Sequence, residues 1–171
     1  GSNWWYVYGG QVCFQATDVL PGTVGGQYGW WKVCEGKVNF DDDVCENAYG
    51  WWKITTGKVD FQYTGLAQNA CGWWMIQNGH VNFGSNGLVD NGNGWWLVKN
   101  GCVDFTYNGL VDNGNGWWLI RNGYVDFNYN GLVDNGNGWW LVKNGCVDFS
   151  YQGYVQNECG VWWVSNGQVQ F

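Results

Sequence analysis

Between Gly94 and Asn108 the chain reads Trp95-Trp96-Leu97-Val98-Lys99, then Asn100-Gly101, then Cys102-Val103-Asp104-Phe105-Thr106-Tyr107. Two β-prone runs joined by Asn-Gly predict a hairpin with a two-residue type I′ turn. Both central residues of such a turn take positive φ, which Gly adopts at little cost. Gly9-Gly10, Glu35-Gly36, Thr56-Gly57, Asn78-Gly79, Asn122-Gly123, Asn144-Gly145 and Asn166-Gly167 fill the same place elsewhere. The turn fixes the register. Lys99 faces Cys102, Val98 faces Val103, Leu97 faces Asp104 and Trp96 faces Phe105. Side chains alternate along a strand. One face therefore carries Trp96, Val98, Val103 and Phe105 and is wholly apolar. The other carries Trp95, Leu97, Lys99, Cys102, Asp104 and Thr106 and is mixed.

The pattern is periodic. Aligned on the glycine before each Trp pair, repeats begin at Gly29, Gly50, Gly72, Gly94, Gly116, Gly138 and Gly160, spaced by 21 residues once and then by 22. A longer first repeat starts near Asn3. Gly1-Ser2 reads as a cloning remnant, and residues 3–171 as a single repeat domain. One hairpin cannot bury its apolar face alone, whereas stacked neighbours can. The expected fold is all-β, a solenoid of about eight stacked β-hairpins. A small β-propeller of paired hairpins is the alternative. The Gly-rich segments between hairpins, such as residues 108–115, read as connectors. Their Leu-Val pairs at 88–89, 110–111 and 132–133 would tuck against the stack.

Composition narrows the function. Aromatic residues make up 20% of the 171, with 16 Trp, and this excludes a disordered chain. Fourteen acids against seven bases give a net charge of −7. The bases are spread along the chain. That excludes the basic face that nucleic acid or an anionic membrane surface requires. No apolar run is long enough for a membrane-inserted helix. The field favours a cationic or neutral ligand.

The last repeat separates the two tryptophans of each pair. There Val161-Trp162-Trp163 aligns without a gap, so the second Trp is kept in all eight repeats and the first is replaced by Val161. The second Trp (Trp5, Trp31, Trp52, Trp74, Trp96, Trp118, Trp140, Trp162) and the Phe are therefore expected in the core. The first Trp (Trp4, Trp30, Trp51, Trp73, Trp95, Trp117, Trp139) is the functional candidate. An indole face can stack a sugar or hold a quaternary ammonium, at ~0.5–2 kcal/mol each. A row of such sites could gain ~10²–10⁴ by avidity.

Other polar groups carry weaker signals. Asp-Asn-Gly-Asn-Gly at 90–94, 112–116 and 134–138 offers oxygen ligands, but its spacing departs from a calcium loop. Such residues make ordinary turns, and no metal is expected. Asp41-Asp42-Asp43 reads as a solvated acidic loop. The strand aspartates (Asp60, Asp104, Asp126, Asp148) sit on the mixed face, and Lys53 opposite Asp60 predicts a cross-strand ion pair. Cys13, Cys34, Cys45, Cys71, Cys102, Cys146 and Cys159 contain no Cys-x-x-Cys, which argues against zinc. Three hairpins per turn would stack the repeats holding Cys34 and Cys102 and pair these two. His80 stands alone and is expected at the surface. No nucleophile–base set or phosphate loop is present, so neither catalysis nor a cofactor is expected.

The Gly-Trp, the Gly turn and the following aromatic-bearing strand resemble the choline-binding and glucan-binding repeats of bacterial surface proteins. GWWLVKNGCVDFTYNGLV is more specifically similar to the GWW-x-V-x-NG-x-VDF-x-Y-x-G cell-wall-binding repeats of clostridial surface and secreted proteins. The resemblance covers nearly all of residues 3–171. It implies a non-enzymatic hairpin solenoid, secreted or on the cell surface, whose partner is a cell-wall polymer or glycan. A cage in this family's manner would combine first tryptophans with the Tyr, as in Trp95, Tyr107 and Trp117. The expected ligand-binding residues are thus Trp30, Trp51, Trp73, Trp95, Trp117, Trp139, Tyr107 and Tyr129. A host-protein-binding adhesin, for example an immunoglobulin binder, is one alternative. A structural spacer or self-assembling repeat is another.

Overall fold

A computed structural model describes residues 4–171. The expected cloning remnant and the start of the first repeat at Asn3 lie outside the described residues. The chain forms two compact units. One runs up to Ser85 and includes Asn100–Cys102; the other comprises Asn86–Lys99 and Val103–Phe171. Regular structure among the described residues is β throughout.

All eight predicted hairpin turns form. Asn122 and Gly123 take φ of 50° and 76°, and Glu35, Thr56 and the other turn asparagines share the same left-handed geometry. The register follows from the turn: Ile120 pairs with Val125 and Arg121 with Tyr124. Val142 likewise pairs with Val147 and Lys143 with Cys146.

The second strand is shorter than its sequence suggests. It spans only Tyr124–Val125 in one repeat and Cys146–Val147 in the next. Asp126 makes one more ladder bond, its N–H donating to Leu119 O at 2.9 Å. Its carboxylate then accepts the Asn128 N–H at 3.1 Å and turns the chain away. The aspartates are thus turn-formers at a strand end, not mid-strand residues.

The segment read as a connector contains a third strand. Gly109–Asp112 runs antiparallel to Trp117–Arg121, with Leu110 opposite Leu119 and Asp112 opposite Trp117. Gly131–Asp134 does the same against Trp139–Lys143. Alternating apolar residues are few in this short strand, so the Gly-rich flanks dominated the sequence reading.

Successive repeats are joined through the ladder. Trp118 pairs with Cys146 and Trp140 with Gln168. In the first unit Trp31 pairs with Lys58, Trp52 with His80 and Trp74 with Cys102. The turn glycine closes each junction: Leu119 N–H donates to Gly145 O and Leu141 N–H to Gly167 O, both at 2.8 Å. The strands Trp117–Arg121 and Trp139–Lys143 therefore each contact the third strand before them, the return strand of their own hairpin and the return strand of the next repeat. Within each unit this is an open stack of hairpins, a solenoid and not a propeller of paired blades.

The core lies at the third and fourth strand positions. Ile54, Ile76, Val98, Ile120, Val142 and Val164 have no exposed surface, and Leu97, Leu119 and Leu141 are buried as well. Leu97 packs there with Ile120 and Val125 of the next repeat, and Leu119 with Val142 and Val147. Apart from Phe127, which is half-buried against Leu97, Ile120 and Val125, the Phe does not join this core, contrary to its expected role. Phe61, Phe105 and Phe149 are 51%, 41% and 43% exposed. The strand ends two residues earlier, so the ring leaves the ladder. Of the second tryptophans Trp31 is buried, and Trp52, Trp74, Trp96, Trp118, Trp140 and Trp162 are half-buried.

Candidate functional site

Trp51, Trp95 and Trp117 each lean toward the repeat that follows. Trp95 lies against Trp118, with ring centroids 5.6 Å apart, and edge-on to Phe127 at 6.5 Å. Trp117 meets Trp140 at 5.0 Å and Phe149 at 5.8 Å. Trp51 meets Trp74 at 5.2 Å and Phe83 at 6.4 Å. The recurring element is a three-ring cleft: the first Trp of one repeat, with the second Trp and the Phe of the next. The Phe also packs edge-on against its own second Trp, as Phe127 does on Trp118 at 5.7 Å. Aliphatic residues form the floor; beneath Trp95 and Trp118 these are Leu97, Ile120 and Val125.

Two clefts stand open. A cavity of about 220 Å³ is lined by Leu132, Trp139, Cys159, Trp162, Val169 and Phe171. Another of about 260 Å³ is lined by Trp30, Tyr49, Trp52, Val59 and Phe61. Both are below the ~300–1,000 Å³ of pockets for drug-sized molecules, and so suit one small head group or ring. In the first, Phe171 keeps its contact with Trp162 at 5.5 Å. In the second, Trp30 is held by Tyr49 at 5.5 Å and Phe61 stays on Trp52 at 5.6 Å.

The open clefts offer almost no hydrogen bonding. The Trp162 Nε1–H is already donated to Asn157 Oδ1 at 2.9 Å, and the Trp52 Nε1–H to Asn47 Oδ1 at 2.9 Å. Aromatic rings and aliphatic carbon make up the rest of the lining, apart from Cys159 in the first cleft and Tyr49 in the second.

The structure thus brings Trp30, Trp51, Trp95, Trp117 and Trp139 into clefts, but with partners other than the tyrosines. The Tyr107 hydroxyl donates to Leu110 O at 3.2 Å, and the Tyr129 hydroxyl to Leu132 O at 3.1 Å. Lys99 Nζ sits 4.3 Å from the Tyr107 ring centre, and the Arg121 guanidinium 4.5 Å from that of Tyr129. These tyrosines fasten the third strand. Trp73 is half-buried opposite Gln68 in its strand. The sequence reasoning missed the second Trp and the Phe as cleft walls. The signal was present in the Phe retained at one place from repeat to repeat.

The remaining polar groups are structural. Lys99, Arg121 and Lys143 pair with Asp104, Asp126 and Asp148 at 2.9, 3.3 and 2.9 Å. Lys53 does not pair with Asp60 as expected. It reaches Asp42 at 3.5 Å, because the Asp60 carboxylate is taken by Thr55 and the Gln62 N–H. Asp90, Asp112 and Asp134 each accept the N–H of the glycine two residues on at 2.8 Å. The cysteines are free thiols. The expected Cys34–Cys102 pairing is not made: Cys34 faces Lys37, and stepwise stacking sets Cys102 opposite Trp74. Burial and then the Asp43 carboxylate push the Cys45 thiol up to about 12. His80 is not a free surface residue but stacks edge-on against Trp52 at 4.9 Å.

Fold and clefts together define a β-hairpin repeat module with aromatic cradles between successive repeats. Residues 62–82, 84–104, 106–126 and 128–148 match the family model of the choline-binding repeat. The chain thus carries four tandem choline-binding repeats. No curated protein matches its sequence. Among solved structures it is similar to CbpJ from Streptococcus pneumoniae TIGR4, at 15% identity and a TM-score of 0.40, over 98% of this chain and 63% of that one. It is also similar to choline binding protein F from Streptococcus pneumoniae, determined in the presence of a peptidoglycan analogue, at 16% identity and a TM-score of 0.37, over 91% of this chain and 52% of that one. An alternansucrase in complex with isomaltononaose matches at 12% identity and a TM-score of 0.35, over 90% of this chain and 13% of that one. The chain spans less than two thirds of the length of each of these structures.

Proposed function

We propose that the protein is a non-enzymatic, extracellular binding module that holds a cell-wall polymer by its quaternary-ammonium groups, as in choline. The observation that carries this reading is the lining of the open clefts. A sugar ring enclosed there would surrender hydroxyl hydrogen bonds to water without recovering them, and unpaired buried polar groups are costly. A trimethylammonium head has no N–H or O–H to satisfy. It gains from each ring face it meets, at ~0.5–2 kcal/mol per ring. The net charge of −7 adds a favourable field for a cation. The choline-binding family match supports the same class of ligand. One such head binds weakly; a polymer bearing many would engage several clefts and gain by avidity.

The test is retention on choline-bearing cell wall beside choline-free cell wall, with free choline as competitor. Retention on the first alone, released by choline, is expected. Equal retention on both, or indifference to choline, would overturn the reading in favour of a glycan or a host protein.

A further inference from the structure

The clefts are not equivalent, although the sequence repeats. We propose, resting on the function above, that the Trp30/Trp52/Phe61 and Trp139/Trp162/Phe171 clefts take a ligand and that three others do not. The Trp51/Trp74/Phe83, Trp95/Trp118/Phe127 and Trp117/Trp140/Phe149 clefts are closed by their own first Trp, which fills the place of the ligand head.

The geometry separates the two groups. In the closed clefts the first Trp touches both of the other walls, with indole centroids 5.0–5.6 Å apart. The Phe then packs edge-on against the same first Trp, at 5.8–6.5 Å. The three rings are packed on one another, with the first Trp between the other two walls. In the open clefts the same three rings line a cavity of about 220 or 260 Å³. A ligand entering a closed cleft must first separate a packed aromatic pair. Its apparent affinity is lowered by the small population of the open state. An open cleft carries no such penalty and is already arranged.

The residue before the repeat glycine marks the rim of each open cleft. Tyr49 lines one and holds Trp30, and Cys159 lines the other. In the closed clefts the same position is Cys71, Asn115 or Asn137. Cys71 and Cys159 are both exposed free thiols, so one chemistry can report on one cleft of each group.

The experiment is alkylation with iodoacetamide in the presence and absence of choline chloride, read by peptide mapping. Equilibrium dialysis with labelled choline runs beside it. Choline should slow alkylation of Cys159 several-fold and leave Cys71 unchanged. Trp30→Ala and Trp139→Ala should each remove one bound equivalent, and Trp51→Ala, Trp95→Ala and Trp117→Ala none. Alkylation of the unaltered protein keeps the question answerable where a tryptophan variant fails to fold. Equal protection of Cys71 and Cys159, or loss of an equivalent in Trp95→Ala, would overturn the division while leaving the function standing. No saturable choline uptake at all would overturn the function and this inference with it.

Discussion

The Tyr124 ring lies over Gly94 and fills the space that any side chain on Gly94 would enter. The same ring packs on Trp96 at 4.9 Å. Lys58 covers Gly29, His80 covers Gly50 and Gln168 covers Gly138 in the same way. The glycine that opens these four repeats thus faces a variable residue one repeat later that fills the place of a side chain. Gly94→Ala should destabilise by ~1–3 kcal/mol through overpacking. Gly160 shares its positive φ, 143° against 150°, but has nothing within 4 Å. Gly160→Ala should cost less, and the difference between the two midpoints isolates the collision from the backbone strain. Equal losses in chemical denaturation would remove the steric account.

Asn69 Oδ1 accepts the Trp74 indole N–H at 2.9 Å, and its Nδ2 donates to Val44 O at 2.9 Å. Asn113 holds the corresponding place before Trp118, but its Oδ1 accepts the Asn115 N–H and the Trp118 Nε1 is buried without a partner. Gly114 at φ 84° gives that turn a different path. Asn69→Ala should cost ~1–3 kcal/mol, since it strands a buried donor. Asn113→Ala should cost less than about 1 kcal/mol. Urea midpoints of the two variants check this, and a reversed order would contradict it.

Thr56 occupies a turn position at φ 49°, where five other repeats place Asn. A β-branched residue there is strained, by ~1–2 kcal/mol on the scale of left-handed residues. Its main-chain N–H donates to Asp42 at 2.7 Å, a bond any replacement keeps. Thr56→Asn should therefore raise the melting temperature, by ~2–4 °C per kcal/mol for a chain of this size. A lowered temperature would show that the methyl group has a role not visible in its surroundings.

The Asp104 carboxyl is held down to about 2 by the Thr106 hydroxyl, then Lys99, then the Thr106 N–H. Asp148 is lowered by Ser150 and Lys143 in the same arrangement. A carboxylate depressed in the folded state stabilises it above the ordinary value of 3.8, and the contribution is lost as pH falls toward about 2. Melting curves should drop across that window. The gap between wild type and Asp104→Asn, present at neutral pH, should vanish at its acid end. A gap that persists there would mean that ionisation is not its source.

The Asn-Gly turns and the register across them were legible from sequence because a two-residue turn leaves no freedom in pairing. Val142 opposite Val147 is the direct outcome. The return strand's early end was not legible. Phe105 follows an alternating apolar pattern, and the side-chain bond from Asp104 that bends the chain has no periodic signature. The same gap hid the clefts. With Phe assigned to the core, the first Trp had no visible partners, and the tyrosine that follows looked like one. Whether a cleft is open depends on ring placement across a repeat junction, as Trp117 on Trp140 against Trp139 beside Trp162 shows. Nearly identical repeat sequences cannot encode that difference locally.

The junction bonds from Leu119 to Gly145 and from Leu141 to Gly167 have a consequence for how such a chain can change length. Donor and acceptor lie in successive repeats, so gaining or losing a whole repeat brings an equivalent acceptor to every donor. Copy number can therefore drift by recombination between like segments without a new fold having to be found each time, and the reach of the array is free to vary while its chemistry is preserved.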